Sequence, residues 1–140
     1  MNKLNELMRD LLPFEEFRQN DVVEESVLGY ECNLLCFNKS TGKYLIKYDQ
    51  LNNTILKEEF AEDLKFISRD WTLNDLLMAT GKKEVRIDLT NFQLYYPSPI
   101  QFKNNIIRIT HTNGYFIYDL TKSLLNQSEE TQKKIIEVLQ

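Results

Sequence analysis

A chain of 140 residues with 42% hydrophobic and 27% charged side chains has enough apolar material for one globular domain that buries roughly two thirds of its unfolded surface. A formal net charge of −4 and a pI near 5.1 argue against loose electrostatic binding to nucleic acid, which depends on lysine and arginine neutralising phosphates. The leading residues MNKLNELMRDLLPFEEF carry acids inside their apolar pattern, so neither a signal peptide nor a membrane anchor is expected and a soluble cytoplasmic protein is the default.

Leu4, Leu7, Met8, Leu11 and Leu12 recur at helical spacing and predict an amphipathic helix that Pro13 interrupts. Phe14 and Phe17 extend the same stripe, which predicts a second short helix through Gln19 with proline in its first turn. From Glu15 to Glu25 the acids Glu15, Glu16, Asp21, Glu24 and Glu25 face the lone Arg18. This local imbalance reads as a solvated loop or as an acidic docking surface.

At Ser26 the period changes to two. Tyr30, Cys32, Leu34 and Cys36 alternate with Glu31, Asn33, Leu35 and Phe37, and a loop from Asn38 to Gly42 leads to a partner strand over Lys43–Asp49. Asn52-Asn53 predicts a further turn, and Thr54–Ser68 fits either a helix or a third strand of a meander followed by a mixed connection, the strand being preferred. Cys32 and Cys36, the two cysteines of the chain, lie about 13 Å apart along a strand. That distance exceeds the ~7 Å limit for a disulfide, so free thiols in a reduced compartment are expected.

Thr72 and Asp75 form a capping-box pattern before Leu73, Leu76, Leu77 and Met78, with Gly81 placed to end the helix in the left-handed conformation. Glu84 to Asn91 predicts a half-wet strand with Val85, Ile87 and Leu89 inward. The prolines of Tyr95-Tyr96-Pro97-Ser98-Pro99 exclude a central strand, so Ile100 and Phe102 are expected along an edge. Asn113-Gly114 predicts a two-residue type I′ hairpin joining Ile106–Thr112 to Tyr115–Leu120. Its register sets Arg108 opposite Asp119, places His111 and Phe116 on the core face and leaves Tyr115 and Ile117 to be covered by a second layer or a partner. Ser128, with Glu129 and Glu130 in the first turn, caps a terminal helix whose apolar side is Ile135, Ile136 and Leu139. The expected fold is a single α+β domain over residues 1–140, a largely antiparallel sheet of about five to seven strands built from hairpins and bracketed by N-terminal and C-terminal helices.

For chemistry the sequence offers little. Two cysteines and one histidine fall short of a structural zinc set, and the signatures of serine hydrolases, phosphate loops and dinucleotide sites are absent. No cofactor or metal is therefore expected. A non-enzymatic interaction protein is, acting by stoichiometric protein binding through Glu15, Glu16, Asp21, Glu24 and Glu25 and through Tyr115 and Ile117. The partner would be a basic nucleic-acid-handling protein, with homo-oligomerisation a further outcome. Two other classes compete. Tyr95, Tyr96, Phe102, Tyr115, Phe116 and Tyr118 could stack bases, although the nearby cations are only Arg86, Lys103 and Arg108. A small hydrolase would need a carboxylate pair or His111 beside Cys32 or Cys36.

In composition and size the chain resembles the short reading frames of low-GC phages and other mobile elements: lysine exceeds arginine, and asparagine, isoleucine and tyrosine are common. Many known products of that kind are regulators or inhibitors that bind a host or viral protein. The resemblance implies an inhibitor of anti-CRISPR type.

Overall fold

A computed structural model describes residues 2–89, 92–94, 100–102, 105–111, 116–118 and 123–140. It divides into two compact units, Phe14–Asp70 and the residues on either side, 1–13 with 71–140. The class is α+β, with helices near both termini and a five-stranded antiparallel sheet. No helix among the described residues is long and apolar enough to cross a membrane.

Among its described residues, the unit made of the two flanking segments holds α-helices α1 (Lys3–Leu11), α2 (Leu73–Thr80) and α3 (Glu129–Leu139). Each starts at the residue its sequence signals. Asn2 accepts a hydrogen bond from the Asn5 amide, Thr72 and Asp75 complete both halves of a capping box, and Ser128 accepts from the Thr131 amide. Gly81 ends α2 at φ 66°, where a Cβ would be strained. Leu4, Met8, Trp71, Leu76 and Ile135 are buried, and the Trp71 indole donates to Asn5 Oδ1 at 2.8 Å.

Strands β6 (Glu84–Leu89), β8 (Ile100–Phe102) and β9 (Asn105–His111) form a three-stranded sheet in the order β6-β9-β8. Val85 and Ile87 point inward as expected, and β8 lies at an edge. Among the described residues, the expected pairing of β9 with Phe116–Tyr118 is replaced by other ladders. Strand β9 pairs in parallel with β6 along one side and, at Asn105–Ile107, antiparallel with β8 along the other, and the ladder of β10 (Phe116–Tyr118) lies in another sheet. That strand pairs in parallel with β7 (Phe92–Leu94), and Arg108 stands opposite Arg86. A two-residue turn signal is local, whereas the ladder to β6 covers six positions beside the buried Val85 and Ile87. The pairing that sets Ile107 beside Val85 and buries both wins. Asn113-Gly114, Tyr115 and Asp119 lie outside the described residues.

The inserted unit is a five-stranded antiparallel sheet in the order β4-β3-β2-β1-β5, from β1 (Val22–Glu25), β2 (Glu31–Asn38), β3 (Lys43–Gln50), β4 (Asn53–Glu59) and β5 (Leu64–Ser68). The meander β2-β3-β4 was legible from alternation, and Thr54 onward is indeed a strand. Two parts of the unit differ from expectation. The second half of the acidic segment, Val22–Glu25, is a strand between β2 and β5 because Val23 belongs to the core with Cys32, Leu34, Ile46 and Leu64. The predicted second helix through Gln19 is also absent, since Phe14 and Phe17 spend their rings on Phe66 and Tyr44 rather than on a helical stripe.

A register shift between Leu34 and Cys36 corrects one further expectation. The extra residue, Leu35, flips the alternation, so Cys36 is exposed although Cys32 is buried, and Phe37 joins the face of Tyr44 instead.

Candidate interaction surface

The inserted unit carries two surfaces that packing leaves open, one at each end of its strands. The first is formed by the β1–β2 and β3–β4 connections, which antiparallel order places at the same end. Glu25 builds the first connection. Its carboxylate is 1% exposed and accepts the amides of Val27 and Leu28 at 2.8 and 2.9 Å, while its carbonyl accepts the Gly29 amide. Hydrogen bonds from Leu28 and then Val27 hold this carboxyl below its ordinary value, outweighing the effect of burial, and Lys57 assists. Gly29 at φ 74° closes the turn. Because the Glu25 carboxylate lies beneath the loop, Val27 and Leu28 face solvent, Val27 at 76% exposure.

The second connection is the two-residue turn Leu51-Asn52, with Gln50 opposite Asn53. Both of its residues have positive φ, 48° and 67°, the signature of a type I′ turn that asparagine and glycine tolerate and leucine does not. Leu51 is nonetheless 88% exposed, so it gains neither conformational ease nor burial. Tyr30 lies between the two turns, stacked on Tyr48 at 5.2 Å and approached by the Gln50 amide. Acids line the same end: Glu24, whose Oε1 lies near Gly29, with Glu31, Asp49, Glu62 and Asp63. Lys65 stands opposite Glu24.

At the other end of β1, Asp21 is buried. Arg69 holds it through Nε and Nη2 at 3.1 and 2.8 Å, the Arg18 amide donates to it, and Arg69 also donates to the Glu16 carbonyl. Glu15 and Glu16 are exposed on the segment before β1. Beside them runs the second open surface, a row of ring contacts from Phe66 to Phe14, Phe17, Tyr44 and Phe37.

The five acids singled out from the sequence therefore do not share a face. Asp21 and Glu25 are turned inward and engaged, Glu24 stands at the apolar turns, and Glu15 and Glu16 flank the ring row. Tyr115 lies outside the described residues, as do Tyr95 and Tyr96, and Ile117 stands opposite Gln93 in the β7–β10 ladder. Among the described residues no group of three or more histidine, cysteine and acidic side chains is placed to hold a metal. Burial and then the nearby Glu25 push the Cys32 thiol up, the opposite of what a nucleophile needs. Sequence reasoning missed Val27, Leu28 and Leu51, and the signal was a large apolar residue standing inside each connection. No protein-family model, curated protein or solved structure matches the chain.

Proposed function

We propose that this is a non-enzymatic protein that acts by stoichiometric binding, and that Val27, Leu28, Tyr30 and Leu51 are its contact residues. The observation that carries this reading is Leu51, a strained and almost fully exposed leucine. Backbone strain of this kind costs about 1–3 kcal/mol and is retained where function uses it. An apolar centre within a rim that excludes water is the form of a binding hot spot. The acids along that rim favour a basic partner, as the surface of a nucleic-acid-handling protein would be, and an inhibitor covering such a surface suits the arrangement. Association should then slow as salt rises, because charge steering is screened over about 8 Å at physiological ionic strength.

Capture from a lysate of the source cells, with three baits compared side by side, tests this. The wild-type chain should retain a basic protein at low salt and lose it progressively at higher salt. Leu51→Asn combined with Val27→Ser should cut retention at least tenfold, and Glu24→Lys with Glu31→Lys should remove most of the salt dependence. Identical retention by all three baits would place the contact surface elsewhere.

A further inference from the structure

We infer that the open edge of β4 is a self-association site, at which two copies of the chain pair antiparallel about a two-fold axis through Leu56 and join their five-stranded sheets into one. None of the contact residues proposed above lies on this strand. Leu56 is 58% exposed and shares its face with Leu45 and the exposed Cys36, so pairing there covers apolar surface as well as backbone.

The turn before β4 decides which of its backbone groups face the open edge. Gln50 and Asn53 flank the two-residue turn Leu51-Asn52, whose residues both have positive φ, so this pair exchanges both of its backbone hydrogen bonds. Hydrogen-bonded pairs then recur at every second position, because the ladder runs without a shift to Tyr44 opposite Glu59. Asn53, Ile55, Lys57 and Glu59 therefore turn their N–H and C=O towards β3. Thr54, Leu56 and Glu58 turn theirs away from it, and among the described residues no strand lies on that side. Sheet edges are ordinarily blunted by brevity, a bulge, a proline or an unpaired lysine. Strand β4 is seven residues long without a proline, pairs without a bulge, and has its Lys57 held by Glu59 at 2.8 Å.

The side chains choose a second copy and one register. In antiparallel pairing about a two-fold axis normal to the sheet, one residue meets its own counterpart. Centring on Leu56 sets Leu56 against Leu56, Ile55 against Lys57 and Thr54 against Glu58. All three outward residues of each copy then find backbone partners, and no like charges meet. Centring on Lys57 or Glu58 opposes like charges, and centring on Ile55 or Thr54 leaves the outward groups of Glu58 beyond the end of the other β4. The charges around the edge do not disturb this register. Glu58 accepts the Asn38 side-chain amide and Asp49 the Thr54 hydroxyl, each at 3.0 Å, and Lys43 lies over the Phe60 ring. Lys47 stands opposite Leu56 on β3, so the two copies of Lys47 are three strand spacings, about 14 Å, apart, beyond the screening length of ~8 Å.

Analytical ultracentrifugation of the full chain over a concentration series, with cross-linking of cysteine variants in a Cys36→Ser background, tests the edge. The wild-type chain should pass from monomer to dimer as concentration rises. Leu56→Lys sets like charges against each other at the axis and should weaken the dimer at least tenfold. Thr54→Pro removes an outward N–H and no ladder bond to β3; it should weaken the dimer while the amide resonances of β3 stay in place. Under oxidation Leu56→Cys should join two copies through a disulfide, since a hydrogen-bonded pair holds its Cα atoms about 5.5 Å apart. Thr54→Cys, which meets Glu58 of the second copy, should not cross-link. A chain that stays monomeric at millimolar concentration, a dimer indifferent to Leu56→Lys, or equal cross-linking at Thr54 and Leu56 would overturn the proposal.

Discussion

Leu51 and Glu25 show how single residues of the inserted unit are set against local preference. At Leu51 the backbone needs φ near 48°, which a γ-branched side chain adopts at a cost and asparagine adopts readily. Leu51→Asn is therefore expected to stabilise the fold by roughly 1 kcal/mol while weakening partner binding. Thermal unfolding and capture measured on one preparation should move in opposite directions; parallel loss of both would mean that Leu51 is structural. Glu25 acts through charge. Its carboxyl is held below the ordinary value of 4.5 by the two amides it accepts, so its stabilising contribution is complete above that value and lost as pH falls through the lowered one. Glu25→Gln should flatten the fall in stability below about pH 4.5 and should loosen Val27 and Leu28, seen as faster amide exchange at both. Arg69 illustrates the cost of burial. Asp21 is 1% exposed, and Arg69→Met would leave it without its guanidinium partner, a loss expected to reach about 3–5 kcal/mol in denaturant titration.

Among the elements, those that announce themselves by capping and period were legible in the sequence. The α2 helix has its capping box at Thr72 and Asp75 and its left-handed end at Gly81, each supplied by one residue type with one physical role. Thr72→Ala should cost about 1 kcal/mol in thermal or denaturant unfolding, without change elsewhere; a negligible effect would mean that packing alone sets the start of α2. The β2-β3-β4 meander was legible for a similar reason, because alternation and turns agree. What escaped were decisions made at a distance. Strand β1 read as an acidic loop, since its burial depends on Cys32 and Phe66 on either side rather than on its own four residues. The shift at Leu35 leaves no mark in composition, yet it turns Cys36 outward and Phe37 onto the ring row. Strand β9 was assigned the nearest partner in sequence, although it pairs with the distant β6, whose Val85 and Ile87 are buried beside it. The candidate surfaces were hidden for the same reason. The acids stood out as a cluster, but β1 passes through the middle of them and sends Asp21 and Glu25 inward.

At the scale of the molecule, the inserted unit has the marks of a module whose two ends lie together. Its chain enters and leaves side by side: Phe14 lies on Phe66 with centroids 5.4 Å apart, and Arg69 reaches the Glu16 carbonyl at 2.9 Å. Its five strands form one sheet among themselves, and Val23, Cys32, Leu34, Ile46 and Leu64 of the same unit build a core. Adjacent termini and a private core are what allow an inserted segment to fold independently. The fragment Phe14–Asp70 is therefore expected to fold when expressed alone, with dispersed amide resonances and one cooperative unfolding transition. A domain of under about 60 residues buries only some 60% of its unfolded surface, so its stability should be a few kcal/mol and the Arg69→Met change should unfold it at room temperature. The proposed contact residues Val27, Leu28, Tyr30 and Leu51 lie inside this fragment. It should retain the partner captured by the full chain with similar strength, and a disordered fragment, or a folded one that binds nothing, would show that the unit depends on the rest of the chain for structure or for function.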